Sequence, residues 1–356
     1  PIGLSFHNDE LTDASLAREE RMRQKLNEDY ATLQRYDRAS LSAQEQLSYD
    51  VLESFLGLQV RGEAWRFHNF PVNQMFGVQS SLPNFLSDVH QVKNAAEAED
   101  YLVRLGKVQH KFEQVLEGLR HRESLGILPP RFTVEKVLEQ MRGFRNTPST
   151  SNVLYTSFAE KLDKAAAGSF DEAAKTALKA RAQQAIENKV YAGYDQLIAY
   201  FESLLGKVNS NDGVWRLPDG ENFYRHMIEV HTTTKADPES LHATGLAEVA
   251  RIQAEMDAIL RAAGYTEGSV GARVRQLSQD PSQLYPDTDE GRAQILKDFQ
   301  TIIDEIDGGL GDYFDVRPKA GVEVRRVPPF SEKTAPGAYY QPPALDGSRP
   351  GVFYLN

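Results

Sequence analysis

The chain has 356 residues and not one cysteine. That absence removes disulfides, a thiolate nucleophile and every thiolate metal site, and it suits a cytosolic or a periplasmic protein equally. Basic charge is also short: 40 Lys and Arg stand against 51 Asp and Glu, for a formal charge of −11. Such a surface repels the phosphates that a nucleic-acid binder must neutralise, and no basic run interleaved with aromatics offsets it. No stretch reaches the roughly eighteen apolar residues that a spanning helix needs. The opening PIGLSFHNDEL lacks the charged and apolar regions of an export signal. A start at Pro1 without Met leads us to expect that an upstream segment, such as an export signal, has been removed.

Several reaction classes lack their usual signals. The histidines are His7, His68, His90, His110, His121, His226, His231 and His242, and none is followed by Glu, so the His-Glu-x-x-His zinc motif is missing. None of them are paired at i,i+4, the spacing that lets two imidazoles on one helix share an ion. His110 and His121 fall on one helical face but about 16 Å apart, too far for a shared metal. His226, His231 and His242 form the densest group, read either as substrate contacts or, preferentially, as ordinary helix-face and cap histidines. There is no nucleophile elbow, no phosphate-binding loop and no dinucleotide fingerprint. The acidic PDTDEG at 286–291 mimics a calcium loop, but its glycine comes one position early and the closing Glu is lacking; it reads as a helix-start cap.

With 40% hydrophobic and 26% charged residues, the chain has material for a sizeable core. Segments 14–38 and 40–60 carry Leu and Tyr at helical intervals among dense charge, as two solvated amphipathic helices. Residues 61–86, with Trp65, Phe67, Phe70, Met75, Phe76, Leu82 and Phe85, lack periodicity and read as a buried irregular connection ending in a short helix. Helix resumes over 94–123 with Tyr101, Leu105, Phe112, Leu116 and Leu119 on one stripe, and GILPP at 126–130 stops it. A long helix is expected from Ser169, where Ser169 and Glu172 match the capping box. Its stripe is Ile186, Val190, Tyr194, Leu197, Phe201 and Leu204, with Gly206 as its stop and a length of roughly 50 Å. Asp237-Pro238 opens another helix, which runs through Leu241, Leu246, Val249, Ile252, Met256 and Ile259 to Gly264. A further helix covers 287–307 and breaks at Gly308, Gly309 and Gly311. Beyond it, Val322 and Val324 alternate with charge, and prolines 318, 328, 329, 336, 342, 343 and 350 punctuate short strands and turns.

The tail, PGAYYQPPALDGSRPGVFYLN at 336–356, differs most from the rest. Asp346-Gly347 signals a tight turn between Tyr339-Tyr340 and Phe353-Tyr354. A hairpin there would offer backbone donors and acceptors to an extended peptide, with Tyr hydroxyls and Arg349 available for a carbonyl or carboxylate. The spacing fits a plain structural turn packed on the helices at least as well.

AYYQPPALDGSRPGVFYLN, together with NQMFGVQSSLP at 73–83, GILPPRFTVEKVLEQM at 126–141 and LHATGLAEVARIQAEM at 241–256, resembles the bacterial domain-of-unknown-function family 885. The resemblance implies gluzincin-type zinc-dependent peptidases, mainly helical, similar in architecture to thimet oligopeptidase and carboxypeptidase Taq, and often exported as lipoproteins. In that family a His-Glu-x-x-Pro-Gly-His-His motif follows the segment matching Gly351–Asn356, and this sequence ends before it. The implied contribution of the chain is thus the helical cleft wall and a substrate-aligning strand, with no catalytic residue and no metal ligand. Zinc is expected in the complete protein and not on this chain alone.

By the same implication, Tyr339 and Tyr340 would donate to a developing oxyanion, Arg349 would hold a peptide carboxylate, and backbone groups from Gly351 to Tyr354 would pair with substrate. The expectation is a mainly α, elongated multi-helix scaffold with a small β element near the C-terminus, like the helical part of a gluzincin peptidase. It forms one domain over 1–356, with 318–356 bordering the cleft. Expected partners are a peptide substrate and the protein's own C-terminal half, as a separate chain or not, with no nucleic acid and no transmembrane segment. The expected location is periplasmic or lipoprotein-anchored with the signal removed, with the cytoplasm as alternative. The different-class alternative is a non-enzymatic helical module that binds a peptide or partner chain.

Overall fold

The structure, a computed structural model, describes residues 6–166, 168–328, 332, 335–347 and 349–356; Pro1 and Pro329 lie outside the described residues. Helices α1 (Leu16–Leu33) and α2 (Ala43–Arg61) pair side by side. Ser42 and Glu45 close a reciprocal capping box at the start of α2. The irregular segment then leads into α3 (Val78–Asn84), which runs on through a π turn at Phe85–Val89. Pro83 inside α3 removes one helical donor.

The core is built on α4 (Ala95–Ser124), packed against α5 (Arg131–Asn146), α6 (Val153–Lys164), α7 (Glu172–Ala185) and α8 (Tyr191–Leu204). The stripe read from sequence on α4 is buried, with Tyr101, Leu105 and Phe112 fully enclosed. Tyr194 of α8 sits between Phe112 and Phe144, ring centroids 5.2 and 4.4 Å away. These are large aromatic contacts at the centre of the body.

The long helix follows the expected stripe, but Glu172–Leu204 contains a π turn at Ile186–Val190. Its cap is Asp171 rather than Ser169: the Asp171 carboxylate accepts from the Ala174 N–H at 2.7 Å, while the Ser169 N–H closes a turn onto Ala166. Gly206 does not set its end, because Lys207 and Val208 satisfy the Leu204 carbonyl without a left-handed residue. Helices α5, α6, α9 (Gly220–Thr232) and α11 (Val270–Ser278) have no counterpart in the sequence reading.

Helix α10 (Pro238–Ala262) starts where Asp237-Pro238 indicated, and Asp237 accepts from the N–H groups of Glu239 and Ser240. Only Leu260 of α10 is buried; Leu241, Leu246, Val249, Ile252 and Ile259 form an exposed stripe. Helix α12 (Asp289–Gly309) is capped by Thr288, as the helix-start reading of PDTDEG implied, but keeps Gly308 and Gly309, two of the three glycines expected to break it, within its last turn.

Three strands follow: β1 (Val322–Arg326), β2 (Ala338–Gln341) and β3 (Gly351–Leu355), in the order β1-β3-β2. β3 is parallel to β1 and antiparallel to β2, with Tyr339 opposite Tyr354. The hairpin turn holds Gly347 at φ 74°, a left-handed value that favours glycine. One face of the sheet presents Val352 and Tyr354, packed with Val327 and Tyr339 toward the helical body. The other presents Phe353 to Phe299 of α12, centroids 6.4 Å apart. The result is a mainly α-helical scaffold with a small C-terminal sheet.

Candidate functional site: a groove along an open strand edge

The two outer edges of the sheet end differently. At β1, the Gln300 carboxamide of α12 donates to the Val322 carbonyl at 3.0 Å and accepts from the Val324 N–H at 2.9 Å, so that edge is bridged by a helix. At β2, the Asn356 N–H bonds the Gly337 carbonyl, which fixes the ladder phase: Tyr339 and Gln341 bond inward to β3, and Ala338 and Tyr340 turn their N–H and C=O groups outward. Those outward groups have no hydrogen-bond partner among the described residues.

Beside β2 lies a groove of about 400 Å³. Its strand wall is Tyr339, Tyr340, Gln341 and Pro342, and its helical wall comes from the Gln74–Phe76 loop, α3 and the π turn. Among the described residues, none that lines it is charged, in a chain carrying −11. Met75, Phe76 and Tyr340 stand exposed at its mouth, while Ser80, Asn84 and Gln140 put polar atoms along it.

The helical wall is rigidly supported. Asn73 accepts from the N–H groups of Met75 and Phe76, both at 2.9 Å, in a turn that aims Phe76 outward. Gln79 donates to Gln140 at 2.8 Å and to the Asn73 carbonyl at 2.6 Å, Gln140 donates to the Gln74 carbonyl at 2.8 Å, and the Tyr194 hydroxyl donates to the Gln79 carbonyl. These carboxamides tie the loop to α5 and α8.

The π turn is pinned from two sides. The Lys161 ammonium of α6 donates to the carbonyls of His90 at 2.6 Å and Leu86 at 3.2 Å, capping the turn's C-terminal end. Asp88 accepts from the Tyr354 hydroxyl of β3 at 2.5 Å, linking the helical wall to the sheet. Burial pulls Lys161 down to about 8, against the opposing pull of Asp88. His90 is enclosed: Nε2 pairs with the Glu97 carbonyl at 2.9 Å and the Arg104 guanidinium lies 2.5 Å from Nδ1. Burial, with Arg104 and Lys161 nearby, lowers its pKa to about 4, so it stays neutral, with the proton assigned to Nε2 by its partners.

The residues singled out from sequence divide into two groups. Tyr339 and Tyr340 line the groove. Tyr339 stacks on Tyr354 at 4.8 Å, and burial, with Asp88 nearby, lifts its pKa to about 12, so its hydroxyl is a donor across the physiological range. Tyr340 lies over Gly351, where a Cβ would come within 2.3 Å of its hydroxyl, so only glycine lets the ring rest there. Arg349, Gly351 and Tyr354 sit behind the groove. Arg349 is buried and donates to the carbonyls of Pro342 at 2.7 Å and Pro350 at 3.1 Å, which closes the β2 edge beyond Tyr340. The backbone of Gly351–Leu355 is occupied by β1 and β2 on its two sides, so the pairing positions open to a further segment belong to β2.

The sequence reading did not single out Asn84, Asp88, Lys161 or Gln140 for the site. The available signal was weak: a prolyl residue followed by Asn inside a short helix. His226 stacks on Trp65 at 5.2 Å and His68 meets the Pro218 carbonyl at 2.7 Å, which are structural contacts. Among the described residues no three His, Asp or Glu side chains gather closely enough to hold a metal ion.

All of residues 1–356 match the family described as bacterial protein of unknown function, DUF885. The chain belongs to that family. It is similar to a crystal structure described as a lipoprotein from Colwellia psychrerythraea, with a TM-score of 0.87 and 27% identity, covering 98% of this chain and 61% of that one. A structure described as a lipoprotein of unknown function from Shewanella oneidensis matches at a TM-score of 0.54 and 14% identity, over 99% of this chain and 60% of that one, a likeness of fold alone. The chain thus spans about three fifths of the length of both structures. No curated protein matches it. No helix among the described residues is long and apolar enough to cross a membrane.

Proposed function

We propose that this DUF885 chain is a helical binding module that takes an extended, uncharged, apolar-rich peptide segment into the groove, as an added strand on β2. The observation that carries the reading is the asymmetry of the sheet edges: α12 lies along β1 and bridges it through Gln300, whereas, among the described residues, Ala338 and Tyr340 leave donors and acceptors unpaired beside a groove walled by Met75, Phe76, Phe85 and Tyr340. Main-chain pairing would supply affinity and the apolar walls side-chain selection, as in strand-addition recognition. The lack of charge in the lining favours neutral side chains over acidic or basic ones. A periplasmic or lipoprotein setting is supported by the two similar structures described as lipoproteins.

The test is an array of acetylated, amidated decapeptides read by fluorescence anisotropy, with Ala338→Pro as control. Proline at 338 deletes an outward N–H and no ladder bond. Neutral apolar peptides are expected to bind the parent chain and to fail on Ala338→Pro; equal binding to both would reject the edge reading.

A second reading, hydrolysis of the held peptide by zinc in the complete protein, draws on the family resemblance and on the chain spanning 61% of the Colwellia protein. In that reading the groove would align substrate, and no residue of this chain would bind the metal. Peptide cleavage by the full-length protein, lost on chelation and restored by zinc, would support it.

A further inference from the structure

A segment added to β2 has two edges, one paired with β2 and one facing α3. We infer that Asn84 reads a backbone amide on that second edge and so fixes the register in which the segment docks. The inference rests on the peptide-binding reading above.

Asn84 closes α3 and lines the groove opposite the strand wall. Its Oδ1 is buried and has no partner among the described residues. Leaving such an acceptor unpaired is costly, so an unfilled partner position is informative. Three of its polar neighbours are committed elsewhere: Ser80 donates to the Gly77 carbonyl, Ser87 to the Asn84 carbonyl, and Gln79 to Asn73 and Gln140. Across the groove the Tyr339 hydroxyl also has no hydrogen-bond partner among the described residues.

A carboxamide carries a donor and an acceptor side by side, the complement of a peptide edge. This molecule already uses that device: Gln300 satisfies the free edge of β1 by donating to Val322 and accepting from Val324. Asn84 stands to the incoming segment as Gln300 stands to β1. With no charged residue in the lining among the described residues, neither a terminal carboxylate nor an ammonium finds a partner among them, which leaves an internal amide as the group read.

Alternate residues of a strand direct their N–H groups to opposite edges, so the amide read by Asn84 must lie at a position of opposite parity to those paired with β2. The experiment is an ester scan of the tightest decapeptide from the array, replacing one backbone N–H by oxygen at a time, against the parent chain, Asn84→Leu and Asn84→Asp. On the parent chain, one ester of the second parity is expected to weaken binding about tenfold, the effect of one lost hydrogen bond. Asn84→Leu removes that sensitivity and leaves the β2-parity positions unchanged, while Asn84→Asp, which keeps the acceptor, retains it. Identical ester profiles for the parent and Asn84→Leu overturn the assignment to Asn84 but leave strand addition standing. If no array peptide binds the parent chain, both proposals fall. Matching circular dichroism and thermal unfolding of the three chains separates a local effect from misfolding.

Discussion

The two edges of the small sheet show what an open edge means in this molecule. β1 is bridged by a neutral side chain from α12, with Gln300 filling one donor and one acceptor. β2 has an equivalent row of groups, faces a groove instead of a helix, and is sealed only at its far end, where Arg349 covers the Pro342 carbonyl. Unprotected edges invite association, and proteins ordinarily cover or charge them. An edge open at Ala338 and Tyr340 among the described residues, beside a fixed wall, is the ground of the peptide-binding proposal.

The edges also differ in what holds them. Gln300 does not titrate, whereas Lys161 and His90, which support the wall facing β2, do. The largest expected effect follows from His90, whose folded pKa is depressed from 6.5 to about 4. Below pH 6.5 the unfolded chain takes up a proton that the folded chain refuses, so stability falls with pH through that window, by up to ~3 kcal/mol. Urea denaturation at pH 7 and pH 4.5 should show this loss, and His90→Gln should remove that part of it; an unchanged pH slope in the variant would exclude His90 as the cause.

Next in size is Tyr354→Phe, which deletes the hydroxyl that Asp88 accepts from. It should cost ~1.5–3 kcal/mol, the worth of a hydrogen bond to a charged group, and loosen the groove without touching β1. Lys161 supplies a check of the same sign in a higher window: with its folded pKa drawn down to about 8 from 10.5, its contribution to stability rises with pH between those values. Tyrosines such as Tyr101 and Tyr194, raised by burial, act the other way above pH 10, so Lys161→Met is the comparison that isolates the amine.

Gln300→Leu should cost only ~1 kcal/mol but open the β1 edge, so sedimentation should detect self-association that the parent chain lacks. A monomeric variant would mean that Gln300 is not what protects that edge. The smallest stability effect is expected for Gly351→Ala, within ~1 kcal/mol, because the ring that must move is the end of a mobile side chain. Displacing Tyr340 from the groove wall should nevertheless weaken peptide capture severalfold, and unaltered capture would show that Tyr340 is not part of the binding surface.

Much of the helical body was legible because its signals are local. The α4 stripe, the Asp237-Pro238 start and the Asp346-Gly347 turn each follow from periodicity or capping chemistry within a few residues. Ser169 shows the limit of that approach: it matched the capping-box pattern, yet Asp171, two residues later, takes the cap. Gly308 and Gly309 stayed helical because a glycine near a helix end disfavours continuation only by about 1 kcal/mol.

The groove was half visible. Tyr339 and Tyr340 lie in the conspicuous tail, but the opposite wall comes from residues 74–89, some 250 positions away, as the Tyr354–Asp88 separation of 266 illustrates. No local pattern announces that pairing. Strand order was equally hidden: the sequence marked 351–356 as strand but could not show that β3 would lie between the other two, leaving β2 as the open edge.

The most direct test of that open edge is amide hydrogen exchange along β2 in the free chain. The ladder phase predicts that Ala338 and Tyr340 exchange rapidly, while Tyr339 and Gln341, bonded to β3, are protected. Equal protection of all four amides, or protection of Ala338 and Tyr340 instead, would mean that the edge is covered and would contradict the account.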